Sequence, residues 1–239
     1  MRARALVFLA CVGCGPTVVG RTPRGAEIVQ VPLQLSNVYL VKTDTPVLID
    51  SGTIGDEHDL QAALADQSLS PRRISLVILT HVHADHAGLA TTLQSYGARI
   101  VLGAGDAERA GRGVNDELKP TSFTASLIKP LIRSIFPEIR ADKTIAEGES
   151  MDLAPWGIDG KVMAMPGHTA GSLVVVMNDH TAFVGDMFRG GPNEHYFHAD
   201  RERNRRNIQT LIDQGVEKFY LGHGGPESRA DVMSAFGIK

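Results

Sequence analysis

His81, His83, Asp85 and His86 fall within six consecutive positions of the stretch Thr80-His81-Val82-His83-Ala84-Asp85-His86-Ala87-Gly88. Three imidazoles and a carboxylate packed this closely cannot be buried unpaired, and a solvated loop has no use for them. As metal ligands they have a purpose. Three later positions share their character: His168 after Gly167, Asp186 after Gly185, and His223 between Gly222 and Gly224. The glycines allow tight turns and close backbone approach. Five histidines with two aspartates are what two adjacent divalent ions require. Imidazole and carboxylate without thiolate suit zinc, and also iron or manganese. Of the nine histidines, His58, His180, His195 and His198 stand outside this set.

Each of these positions follows an apolar run. Residues 74–79 are rich in β-branched side chains and read as a buried strand running out into the His81 loop. Strands expected over 160–164, 181–184 and 218–221 precede His168, Asp186 and His223. Upstream, 27–33, 37–42 and 47–49 read as an antiparallel meander that ends at Asp50. Asp50 is either a turn or capping carboxylate or an acceptor that orients a metal-bound histidine. Helical spacing appears over 56–67 and 88–96, over 201–214 with Asp200 as cap, and over 228–236. Further strands are expected at 99–102, 144–145 and 172–177. Strand-helix alternation after a meander predicts a mixed α/β layered fold. The least regular part is 105–150. Its apolar stretch 118–136 reads as a helical insertion packed on the core, with a mobile flap or an interfacial helix as the sharper alternatives.

The 239 residues suit one domain of ordinary composition, 43% hydrophobic and 21% charged. A formal net charge of -3 gives no bulk pull toward nucleic acid, and a small-molecule substrate is expected instead. The N-terminus has the basic start and short apolar stretch of a secretory signal. It resembles a bacterial lipoprotein signal, with Val12-Gly13-Cys14 approaching the modified cysteine and Cys11 as a second candidate. These are the two cysteines of the chain, so after processing no thiolate would remain for a metal. The expected organisation is a signal over 1–14, a flexible tether over 15–25 and one globular domain over 26–239. The expected location is exported, either periplasmic or anchored to a membrane through Cys14.

The pattern His81-x-His83-x-Asp85-His86 with His168, Asp186 and His223 resembles the metallo-β-lactamase superfamily, in its glyoxalase II-like hydrolase branch. The resemblance implies a four-layer αββα sandwich with metals at one edge. It implies that His81, His83 and His168 hold one ion and that Asp85, His86 and His223 hold the other. Asp186 and a hydroxide would bridge them. Such a hydroxide exists near neutral pH and attacks an ester, thioester or related carbonyl. Asp85 would also orient the nucleophile or pass a proton to the leaving group. Met187-Phe188-Arg189 after the bridge departs from the tyrosine typical of the family's lactonases, and Asp186 itself departs from the class B β-lactamases. Past the bridge, Arg189, His195, Tyr196 and His198 are the expected substrate rim. Two other readings are an iron-dependent oxidoreductase of the persulfide dioxygenase type and a metal-binding lipoprotein without catalysis. Metal analysis separates the first, and chelator-sensitive turnover the second.

Overall fold

The computed structural model describes residues 15–238. The signal-like segment with Cys11 and Cys14 lies outside the described residues. Two sheets face each other. The first has seven strands in sequence order: β1 (Thr17–Arg21), β2 (Glu27–Pro32), β3 (Asn37–Lys42), β4 (Val47–Ile49), β5 (Leu76–Ile78), β6 (Arg99–Gly103) and β7 (Lys143–Ile145). The second contains β8 (Ser150–Asp152), β9 (Gly160–Ala164), β10 (Leu173–Met177), β11 (Thr181–Gly185), β12 (Lys218–Leu221) and β13 (Glu227–Ser228), in spatial order 13-12-11-10-9-8. Helices α1 (Glu57–Asp66), α2 (Ala84–Ala87), α3 (Ala90–Ser95) and α4 (Ala107–Arg112) belong to the first half of the chain. Helix α5 (Phe123–Ile128) lies in the insertion, and α6 (Arg201–Asp213) and α7 (Arg229–Phe236) belong to the second half.

Alternation along the strands builds the layers. On β3, Tyr39 and Val41 point between the sheets, where they meet Val175, Phe183 and Tyr220. Val38 and Leu40 point the other way, into a core shared with Leu60 and Leu64 of α1 and Leu93 of α3. On the far side, Val174, Ala182 and Val184 pack with Ile208, Leu211 and Ile212 of α6 and Val232 of α7. The result is the expected αββα sandwich. Strands buried on both faces explain why β5 reads as a continuous apolar run.

Strand direction sets the site. β4 and β5 are parallel neighbours, and so are β11 and β12, while β9 runs antiparallel to β10, itself antiparallel to β11. The C-terminal ends of β4, β5, β9, β11 and β12 therefore gather at one edge. The sheets are stitched there: Leu173 donates its N–H to the Thr80 carbonyl at 2.7 Å, and the Tyr39 hydroxyl donates to the Leu221 carbonyl at 2.8 Å.

Two expectations need correction, and one strand was not expected. Residues 17–21 are not a free tether but an edge strand paired antiparallel to β2. The stretch 118–136 is helical only over α5 and one following 3-10 turn, because Pro130 and Pro137 cannot continue a helix. The short strand β8 pairs with β9 without having announced itself in the sequence. Among the described residues no helix is long and apolar enough to cross a membrane.

Candidate metal centre

Beyond β5 the chain runs through Thr80 into His81 and then turns at His83 into the one-turn helix α2. The turn aims His81 and His83 at one point and Asp85 and His86 at another. The first group is completed by His168, from the turn between β9 and β10. Its Nε2 lies 3.1 Å from His83 Nδ1, and ligand atoms of His81, His83, His168 and Asp186 all lie within 4.8 Å of one another. The second group is completed by His223, past the end of β12. Its Nε2 lies 3.3 Å from Asp85 Oδ2 and 3.4 Å from His86 Nε2.

Asp186, past the end of β11, stands between the groups. Its Oδ1 is 3.4 Å from His86 Nε2. Its Oδ2 is 3.7 Å from Nε2 of both His81 and His168, and 3.3 Å from that of His223. Buried His81 Nε2 and Asp186 Oδ1 have no hydrogen-bond partner. Unpartnered buried polar atoms are rare and need an explanation. Two lone-pair donors converging from several elements are explained by a cation, so this residue set fits divalent metal.

The rings of His81, His83, His86 and His168 are also held on the side turned away from the cluster. His86 Nδ1–H donates to Asp50 Oδ2 at 2.9 Å, which leaves Nε2 free as a ligand. Asp50 Oδ1 accepts the Thr80 N–H at 2.7 Å, and the Thr80 hydroxyl donates to Asp50 as well. His81 Nδ1 meets that hydroxyl at 3.1 Å, so both groups lean on one buried carboxylate. His83 Nε2–H donates to Asp116 Oδ1 at 2.7 Å, and His168 Nδ1–H donates to the Phe197 carbonyl at 2.8 Å. Asp106, buried at the end of β6, accepts from the Thr169 hydroxyl and the Gly171 N–H, and so fixes the His168 turn.

A family model described as the metallo-beta-lactamase superfamily matches residues 31–223. The chain belongs to this superfamily. Its curated relatives include a hydroxyacylglutathione hydrolase of Acidiphilium cryptum, 28% identical over 212 residues, which cover 84% of this chain and 69% of the relative. An acyl-coenzyme A thioesterase, MBLAC2, of Gallus gallus is 26% identical over 79% of this chain and 72% of its own length. Among solved structures, a metallo-beta-lactamase family protein of Thermus thermophilus superposes with a TM-score of 0.64. It is 22% identical, covering 93% of this chain and 77% of that one, which shows the fold. Membership and the His/Asp cluster make the chain a metal-dependent hydrolase of the metallo-β-lactamase superfamily.

In this superfamily member burial and the two carboxylates divide the charges of the cluster. Burial, then the neighbouring imidazoles, holds His81 and His168 well below the usual histidine range, in the neutral form that ligates. Burial also opposes charge on His86 and His223, but the Asp186 and Asp85 carboxylates outweigh it. They raise His86 well above its usual range and His223 to about 10. Burial alone would push Asp85 and Asp186 up; His86 and His223 instead hold both below ordinary carboxylates. Metal binding must therefore displace protons from His86 and His223.

The seven expected ligand residues converge, and Asp50 lies behind them against His86 Nδ1. Of the four residues expected at a substrate rim, Arg189 and Tyr196 line the cavity over the cluster. His195 does more than line it. It is 7% exposed, with its Nε2 3.2 Å from Asp186 Oδ2 and its ring stacked on His223. His198 does not line the cavity; it is 3% exposed and packs edge-on against His168. Asp116 and Asp106 were missed. Asp106 follows β6, the next parallel strand after β5, and the end-of-strand rule that found Asp50 would have found it. Asp116 carries no local signal.

Proposed function

We propose that the two groups hold two divalent ions, zinc before iron or manganese, and that the protein hydrolyses an ester, thioester or related carbonyl substrate. The observation that carries this is Asp186, buried between two complete ligand groups and offering an oxygen to each. Bound ions would supply an activated water and polarise the substrate carbonyl. The chain's own residues do the rest. Asp50, Asp116 and the Phe197 carbonyl keep His86, His83 and His168 in the ligating tautomer. Asp85, a quarter exposed and facing the cavity, accepts a hydrogen bond from the attacking water and hands its proton toward the leaving group. The relatives named as a hydroxyacylglutathione hydrolase and an acyl-coenzyme A thioesterase put thioesters first in the assay.

The test is a metal count on purified protein, then a panel of thioesters, esters, lactones and phosphodiesters with and without chelator. Two ions per chain and chelator-sensitive turnover are expected. Asp186→Ala should reduce the count toward one and remove most activity. An unchanged count and rate in that variant would overturn the two-ion reading. One iron per chain with oxygen uptake would replace the hydrolase by an oxidoreductase.

A further inference from the structure

A cavity of ≈ 440 Å³ opens above Asp85, Asp186 and His223, within the range of about 300–1,000 Å³ usual for small-molecule sites. Its walls do not match its floor. Leu118, Ile128, Leu131 and Ile132 come from the insertion, and Tyr196 and Phe197 from the segment past Asp186. Leu131 is 80% exposed and Ile132 36%, so this wall reaches the protein surface with apolar area still in water. Phe123, Leu127 and Ile135 of the same insertion are exposed as well. A polar acyl group would leave its hydrogen-bonding groups unmatched against such a wall, whereas a hydrocarbon would cover it.

Two cations interrupt the wall. Arg133 and Arg189 both line the cavity, and among the described residues neither has a carboxylate within 4.0 Å. Arg133 reaches only the Ile54 carbonyl at 3.4 Å. Arg189 donates to the Glu194 carbonyl at 3.3 Å and lies over the Tyr196 ring at 4.6 Å. A guanidinium is always charged, and beside a low-dielectric wall it recruits an anion.

We infer that the substrate is an amphiphilic acyl thioester or ester. Its acyl part is an extended hydrocarbon lying along the 118–132 wall, and its other part carries an anionic group at Arg133 and Arg189. The inference rests on the hydrolase reading above. In the reaction, the oxygen of water bonds to the acyl carbon and the bond from that carbon to the thioester sulfur or ester oxygen breaks. The leaving thiol or alcohol takes one proton of the water, and the fatty acid releases the other to solvent.

The test uses metal-loaded full-length protein and thioesters of 3-mercaptopropionate with acetyl, hexanoyl and decanoyl groups. The matching thioesters of neutral 2-mercaptoethanol are run beside them. From acetyl to decanoyl, kcat/KM should rise at least tenfold, a factor that needs only about two buried methylenes. Leu131→Asp, at an exposed position that leaves the core alone, should cut the decanoyl-to-acetyl ratio at least fivefold at constant metal content. Replacing both Arg133 and Arg189 by Ala should raise KM for the mercaptopropionate series about tenfold over the neutral series. Equal kcat/KM across chain lengths, or an unchanged ratio in Leu131→Asp, overturns the hydrocarbon site and leaves the hydrolase standing. An absence of preference for the anionic series in the unaltered protein removes the anion site. No chelator-sensitive turnover on any thioester or ester overturns the hydrolase reading and this inference with it.

Discussion

Replacing Asp50 by Asn tests the orienting network with little other disturbance. Asp50 has a positive φ of 64°, which Asn adopts more readily than most residues, so the backbone has no reason to move. The side chain is buried, and both its oxygens accept: Oδ1 from the Thr80 N–H at 2.7 Å, Oδ2 from the His86 Nδ1–H at 2.9 Å. An amide offers one oxygen and one NH2. If the nitrogen faces His86, the ring must shift its proton to Nε2, the ligand atom, or turn away. If it faces Thr80, two buried donors oppose each other. Either outcome costs about 1–3 kcal/mol. At the ion proposed for Asp85, His86 and His223, that is about a ten- to hundredfold loss of affinity. The ion held by His81, His83 and His168 should change by no more than about threefold, since its contact with Asp50 passes through the Thr80 hydroxyl, which an amide oxygen still accepts. The assay is competition with a chromogenic chelator, resolving both ions, beside denaturation of the metal-free protein. If both affinities stay within about threefold and stability within about 0.5 kcal/mol, the Asp50 carboxylate does not set the tautomer of His86.

Asp116→Ala should show the opposite selectivity, weakening the His81, His83 and His168 ion about tenfold and sparing the other; the same chelator competition checks it. Gly222→Ala would drive a Cβ into Asp186 Oδ1 and to 2.6 Å from His86 Cε1, so it should lower both the metal count and stability, the latter by about 1–3 kcal/mol. In chelator, the melting temperature should peak near pH 6.5. His195 and His198, lowered by burial to about 4, bind protons more readily when unfolded, so stability falls as pH drops from the usual histidine range to about 4. His223, raised to about 10, holds its proton more tightly when folded, so its contribution is lost as pH rises from about 6.5 through 10. Calorimetry from pH 4 to 10 would show a flat profile if these environments are misread, and saturating metal should abolish the alkaline limb.

How far the sequence could be read depended on whether a residue's role is written in its neighbours. The ligands were legible because each follows an apolar strand, and for His168, Asp186 and His223 a glycine stands next to it. The sandwich was legible because β5 and β10 are apolar on both faces and the helices on one. The strand β1 was not legible. Its residues are exposed or half-buried, and pairing with β2 rather than side-chain pattern makes it a strand. Asp116 was not legible either, because nothing near it marks it and its role comes from tertiary approach to His83, 33 residues away. His195 was assigned to the rim because nothing local shows that the segment past Asp186 folds back over the cluster.

That fold-back ties the cavity wall to the metal centre. Thr121 donates its N–H to the Tyr196 carbonyl at 2.9 Å, and the His198 N–H donates to the Lys119 carbonyl at 3.1 Å. Phe197 packs with Leu118 and Ala125 in a small core of its own. The same Phe197 offers its carbonyl to His168 Nδ1–H. The insertion, the segment 195–198 and the ligand His168 are thus one mechanical unit. A substitution that loosens the small core, such as Ala125→Asp, acts on more than the cavity wall. It releases the carbonyl that fixes the His168 tautomer, so it should weaken the ion held by His81, His83 and His168 although no ligand is altered. An Ala125→Asp protein that stays folded and binds that ion at full affinity would show that the wall and the metal centre are independent.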